Sequence, residues 1–261
     1  MKIGVFDSGL GGLIITKSFI ERLGQYDYLY LGDTKHLPYG EKSAREVLDF
    51  SIDAIKFLIK QDCKLIIIAC NTASSIALRY LQRVFIPDYA PDVKVLGVVV
   101  PTVEEAIACS SKTIGVIATN STINSHIYEV EIKKINNNVE VKELATPEFV
   151  PAIESNDFVL AEKYVKQYAP DMKDVDSLIL GCTHYPLLKK YFEKEIPYVH
   201  IISQADFMGE KLENYLQRHP EIDKVLSKNA QREFVVTKLN KHYQEVAEKL
   251  FENISIKEVK I

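Results

Sequence analysis

The chain has 261 residues, 47% of them hydrophobic and 26% charged, with a formal net charge of −4. That length can bury one large core or two ordinary ones, so no disulfide staple is required. Lysines and arginines are scattered, which leaves no electrostatic footprint for nucleic acid and favours a small-molecule partner.

The first apolar run, "KIGVF", reads as a strand, and the opening "MKIGVFDSGLGG" has neither the apolar region nor the cleavage site of a signal peptide. No segment approaches the roughly 18 consecutive apolar residues of a membrane span, so a cytoplasmic protein with no membrane partner is expected. In "VFDSGLGGL", Val5 to Leu13, neither G-x-G-x-x-G nor a Walker loop is present. Two readings remain open there. Gly9, Gly11 and Gly12 could form a strand-end turn with Asp7 as a cap. Alternatively, their amides approach an anion at a helix start, Asp7 holds or moves a proton, and Ser8 donates to a substrate carboxylate.

A second strand, "YDYLYLG", leads into "GDTKHLPYGEKS". Pro38, Tyr39 and Gly40 make a turn by their own chemistry, either a plain loop or a rigid one offering N–H groups and a phenol to an anionic substrate. "SAREVLDFSIDAIKFLIKQ" then reads as an amphipathic helix, with Ser43 as N-cap and Glu46 completing a capping box. Further strand-like runs follow: "KLIIIAC", "KVLGVVV", "TIGVIAT", "VEVKELA", "SLILGC" and "VHIIS". After "TIGVIAT", the hydroxyls of Thr119, Ser121 and Thr122 are placed as N-caps or as ligand donors. Toward the C-terminus, "NYLQRHPEIDKVLSKNAQRE" has the least structured composition, with Pro220 breaking any helix, and Gln231 to Asn253 reads as helical over much of its length.

Most of these strands are nearly continuous apolar runs, as when helices cover both faces of a parallel sheet. An α/β architecture follows. Four cysteines, Cys63, Cys70, Cys109 and Cys182, show no C-x-x-C spacing, so neither a zinc site nor a disulfide framework is suggested and no metal is implied. Cys63 and Cys109 read as packing residues. Cys70 and Cys182 differ because each ends a strand and is followed at once by polar groups, Asn71 and Thr72 or Thr183 and His184.

Ligands in such sheets bind at the carboxyl ends of the strands. A helix N-terminus there is expected to lower a thiol's pKa toward neutrality, and His184 could serve Cys182 as a proton donor or relay. Nucleophilic catalysis needs only one thiol with a base. Two equivalent thiols suit a reaction symmetric about a carbon, in which one removes a proton from one face and the other delivers a proton to the opposite face. That reaction is racemisation.

The motifs "GVFDSGLGG", "YLGDTKHLPYG", "ACNTAS", "FVPAIE" and "GCTHYPLL", spanning residues 3 to about 188, together resemble the cofactor-independent aspartate/glutamate racemases, and the glutamate racemases in particular. The resemblance implies that Cys70 and Cys182 are acid/base thiols, acting on D- and L-glutamate respectively. It assigns Asp7 and His184 as their assistants and Glu154 as an acidic residue near the second thiol. It places Ser8, Pro38, Tyr39, Gly40, Asn71, Thr72, Thr119, Thr122 and Thr183 around the substrate's polar groups. It further implies no cofactor, a homodimer, and D-glutamate supplied for peptidoglycan. Two pseudo-symmetric α/β lobes are expected, residues 1–97 with 208–261 completing the first through C-terminal helices and 98–207 forming the second, with the site between them.

Three rivals stay open at this level. A related enzyme could act on aspartate or a hydantoin, although a decarboxylase would need only one protonating thiol. A non-catalytic binding module would have no use for a matched acid/base pair. A thiol hydrolase leaves the second cysteine unexplained.

Overall fold

The computed structural model describes residues 1–109, 112–251 and 254–261. Two parallel sheets form the frame. The larger contains β1 (Lys2–Asp7), β2 (Tyr28–Gly32), β3 (Cys63–Ile68), β4 (Lys94–Gly97), and from the far end of the chain β9 (Arg232–Val236) and β10 (Ile256–Glu258). Its order is β10-β9-β2-β1-β3-β4. The smaller contains β5 (Thr113–Ala118), β6 (Glu140–Ala145), β7 (Ser177–Gly181) and β8 (His200–Ile202), ordered β6-β5-β7-β8. All ladders are parallel. The α/β reading therefore holds, and for the reason the sequence suggests: β2 and β7 are buried at every position because helices cover both faces.

The chain crosses between the sheets twice. It leaves β4 into the helix Val99–Ala108 and returns from β8 into the helix Gln204–Arg218, which packs on Gly11–Arg22 beside the larger sheet. Local chemistry places several boundaries. The helix Ala44–Lys60 starts with the capping box: Ser43 Oγ accepts from the Glu46 N–H, and the Glu46 carboxylate accepts from the Ser43 N–H at 2.9 Å. Pro220 stops the preceding helix at Arg218 and sits in the first turn of the short helix Pro220–Asp223.

Three readings of the sequence change. "KVLGVVV" is a strand only through Gly97, and Val99 and Val100 already belong to the next helix. β-branched residues tolerate either state, and burial of Val98, Val99 and Val103 decides it. The segment Gln231 to Asn253 opens as a strand, since Arg232–Val236 hydrogen-bonds along β2, and only Lys241–Leu250 is helical, capped by Asn240. Residues 252 and 253 lie outside the described residues. In the stretch read as least structured, residues 214–218 complete a helix whose Leu212 and Leu216 are buried. Among the described residues, no helix is long and apolar enough to cross a membrane.

Candidate active site

Register brings four strand ends to one place. Phe6 pairs with Ile68, and the Ala69 N–H donates to the Phe6 carbonyl, so Asp7 and Ser8 lie level with Cys70. Ala118 pairs with Gly181, which sets Thr119 beside Cys182. In each sheet these neighbours flank a point where strand order reverses, between β1 and β3 and between β5 and β7. Open α/β sheets hold ligands at such points. The two crevices face one another across one pocket, lined by residues from the ends of both sheets. Both cysteines line it and both are nearly buried, 4% and 7% exposed, so bulk water is largely kept from the sulfurs.

Each thiol has its own escort. Cys70 is the N-cap of the helix Asn71–Ile76; its Sγ accepts from the Ala73 N–H at 3.4 Å and lies 3.5 Å from Ser8 Oγ. The expected lowering of its pKa does not occur. Burial pushes the Cys70 thiol up to about 12, the Asp7 charge adds to this, and Ser8 and the Ala73 amide offset only part. A six-residue helix is a weak counterweight to full desolvation.

Asp7 explains the glycine-rich turn. Its Oδ2 accepts from the Gly9 and Gly12 N–H groups at 3.0 and 2.9 Å, and its Oδ1 from Thr183 Oγ1 at 3.2 Å. Two of the three glycine amides that could have met a ligand anion, those of Gly9 and Gly12, are therefore occupied by the protein's own carboxylate. Gly12 is required at this turn: a Cβ there would lie 2.2 Å from Asp7 Cβ. Burial raises the Asp7 pKa even though His184, those two amides and Thr183 all favour its charged form. A carboxyl poised in this way can carry a proton.

On the other side, Cys182 Sγ lies 3.8 Å from His184 Nδ1, and His184 Nε2 lies 2.5 Å from Glu154 Oε1. The same Glu154 oxygen accepts from the Leu10 N–H at 3.3 Å. Burial alone would lower the His184 pKa, but the hydrogen bonds and charges of Cys182 and Glu154 outweigh it and hold the imidazole well above its usual value. For Glu154 burial works upward, and the hydrogen bond and charge of His184 prevail, keeping it below the ordinary carboxylate value. The result is a carboxylate–imidazolium pair directed at the second sulfur.

Ser8, Pro38, Tyr39, Gly40, Asn71, Thr72, Thr119, Thr183 and His184 line the pocket with the thiols. Asp7, Thr122 and Glu154 stand behind that wall, each touching a residue in it. Thr119 is an N-cap, accepting from the Thr122 N–H. Its hydroxyl also meets those of Thr72 at 3.0 Å and Thr122 at 3.1 Å, so capping and a cluster of donors at the pocket coexist. The Tyr39 phenol is turned away from any ligand and donates to Asp33 Oδ2 at 2.7 Å. Asp33 is fully buried and also accepts from Thr237 Oγ1 at 2.7 Å, which fixes the loop from below.

Asp33, Tyr128 and Gln204 escape the sequence reading. For Asp33 a signal existed, because it stands one position past the end of β2, much as Asp7 ends the neighbouring β1. Cys63 is buried as foreseen, whereas Cys109 is exposed, since it closes the helix Val99–Ala108 at the surface. A group of possible metal ligands among the described residues, His126, Glu129 and Glu143, lies outside the pocket wall, and the 2.7 Å ion pair between His126 and Glu143 accounts for much of it.

Fold and site together define a class: a two-lobed parallel α/β protein whose cleft holds paired thiols at equivalent strand ends. Residues 4–206 match the family model of the Asp/Glu/Hydantoin racemases. The glutamate racemase of Hydrogenobaculum sp. is 35% identical over 255 residues, covering 95% of this chain and 92% of that one. That of Geobacter metallireducens is 43% identical over 199 residues, with 74% and 72% covered. The crystal structure of the Bacillus anthracis glutamate racemase isoform RacE1 superposes with a TM-score of 0.89 at 34% identity, covering 100% of this chain and 97% of that one. The Francisella tularensis glutamate racemase in complex with D-glutamate gives 0.87 at 35% identity with the same coverage. The chain belongs to the Asp/Glu/Hydantoin racemase family.

Proposed function

We propose that this protein interconverts L- and D-glutamate by two-base proton transfer at the α-carbon, with Cys70 and Cys182 as the two bases. The observation that carries the mechanism is that both thiols line one pocket from opposite sheets, each with a separate proton-handling partner. In the L-to-D direction the Cys182 thiolate takes the α-proton and the Cys70 S–H bond breaks to protonate the opposite face, leaving Cys182 as thiol and Cys70 as thiolate. The D-to-L direction reverses every step.

An α-proton is a poor acid, and burial answers this in two ways. A thiol held up near 12 stays protonated at neutral pH and is ready as the donor. Once deprotonated by way of Asp7, the same sulfur is a correspondingly strong base. His184, backed by Glu154, returns or accepts the proton at Cys182. The hydroxyls of Ser8, Thr72, Thr119 and Thr183 and the Pro38–Tyr39–Gly40 turn hold the substrate's polar groups and stabilise charge growing on its carboxylate, with Asn71 in the pocket wall and Thr122 supporting Thr72 and Thr119 from behind it. A cytoplasmic homodimer feeding D-glutamate into peptidoglycan completes the reading, on the strength of the family resemblance.

The test is NMR of the protein in D₂O with D- and L-glutamate, then both aspartates, and no added cofactor. α-Deuteration with conversion between the glutamate enantiomers is expected. Exchange with aspartate alone would overturn the substrate, and no exchange with any of the four would overturn the racemase reading.

A further inference from the structure

The residue that follows Cys70 does not face the pocket with a free side chain. Asn71 is 2% exposed and its amide pairs reciprocally with Gln204, 133 positions away: Asn71 Nδ2 donates to Gln204 Oε1, and Gln204 Nε2 donates to Asn71 Oδ1, both at 2.9 Å. Tyr128 adds a hydrogen bond from its hydroxyl to Asn71 Oδ1 at 2.6 Å, and Gln204 Nε2 also reaches Thr102 Oγ1 at 2.9 Å. The proton count is consistent, since Thr102 passes its own hydroxyl hydrogen to the Val98 carbonyl at 2.6 Å. Gln204, Tyr128 and Thr102 are all fully buried.

The location matters more than the number of bonds. Gln204 is the first residue of the helix entered from β8, on the returning connection between the sheets, and Thr102 is on the helix entered from β4, on the outgoing one. Tyr128 belongs to the helix Ile127–Ile135, on the second lobe. One amide pair thus connects both inter-sheet segments and a second-lobe helix to the turn that carries the first sulfur.

We propose that Gln204 is a positioning residue for Cys70, fixing the strand-end turn of the first lobe to the two segments that join the lobes by holding the Asn71 amide. The inference rests on the two-thiol racemase reading. Removing the amide leaves Asn71 Nδ2 without this acceptor in a dry site, where a buried polar group either shifts to find another or stays unpaired. The sulfur then reaches the α-carbon in poorer geometry, and errors of about 1 Å cost about 10²-fold in such steps.

Gln204→Met keeps the side chain's length and removes its hydrogen bonds. The two enantiomers have equal free energy in water, so kcat/KM must fall by the same factor in both directions, here tenfold or more. The specific signature is the α-deuterium isotope effect on kcat/KM. With the Cys70 step slowed, it rises for D-[α-²H]glutamate, whose C–D bond breaks at Cys70. It falls for L-[α-²H]glutamate, whose bond breaks earlier, at Cys182. Tyr128→Phe, which keeps the ring and removes the other bond to Asn71 Oδ1, produces the same divergence and serves if Gln204→Met does not fold.

A merely structural role predicts a lower Tm and fewer active molecules with both isotope effects unchanged, and that outcome in the folded variants overturns the proposal. Failure of the unsubstituted protein to exchange either α-proton overturns the racemase reading itself, a result distinct from the first.

Discussion

Gly11 of the first lobe lies directly against Thr183 of the second: a Cβ built on Gly11 would sit 2.4 Å from the Thr183 carbonyl carbon and 2.6 Å from the His184 amide nitrogen. Both obstacles are backbone, so neither can rotate away. Gly11→Ala is expected to force the turn carrying Cys182 and His184 outward and reduce kcat/KM by about 10²-fold, the cost of misplacing a reacting group by about 1 Å. Steady-state kinetics with glutamate check this, and activity within twofold of the unsubstituted protein would refute it.

Gly40 makes the corresponding contact with the threonine cluster. A Cβ there would lie 2.6 Å from Thr119 Cβ, and the Ser121 hydroxyl donates to the Gly40 carbonyl at 2.8 Å. Gly40→Ala displaces Thr119 from Thr72 and Thr122, so substrate binding weakens and KM rises by a larger factor than kcat falls. The split between the two parameters is the measurement.

Cys70→Ser and Cys182→Ser should each reduce racemisation by at least about 10²- to 10⁴-fold, the usual contribution of a positioned acid or base. In D₂O each variant retains slow α-exchange only of the enantiomer served by the remaining thiol. Equal residual exchange of both enantiomers in either variant would contradict the assignment of one thiol per face.

The Asp7 charge is one reason the Cys70 thiol stands at about 12. Asp7→Asn removes that charge, so the Cys70 pKa moves down and its alkylation by iodoacetamide begins at lower pH. The exposed Cys109 reacts first in both proteins, which makes Cys109→Ser the right background for reading Cys70 by mass spectrometry. An unchanged pH dependence at Cys70 would show that Asp7 does not act on it.

The His184–Glu154 pair should also be visible in stability. The raised His184 value means its contribution is complete below about pH 6.5, the ordinary imidazole value, and is lost as pH rises through the higher folded value. The lowered Glu154 value means its contribution is present above about pH 4.3 and is lost as pH falls through the lower folded value. Urea unfolding of the protein against Glu154→Gln should therefore show the largest difference between about pH 4.3 and 6.5, shrinking toward alkaline pH. A difference independent of pH would mean that Glu154 contributes by packing alone.

Local chemistry in the sequence was enough to determine the parallel α/β plan, the capping box at Ser43 and Glu46, and two thiols at strand ends beside polar turns. Each rests on apolar runs, strand-end placement or contacts a few residues apart, and such patterns are carried by adjacent letters. The tertiary structure alone decided how those groups are tuned and directed. Burial reverses the pKa change expected at Cys70, Asp33 takes the Tyr39 phenol, and Gln204 takes the Asn71 amide from 133 positions away. Arg232–Val236 becomes a strand because β2 offers it an open edge. Desolvation and long-range hydrogen-bond pairing depend on which surfaces meet, and no local pattern in the chain records that.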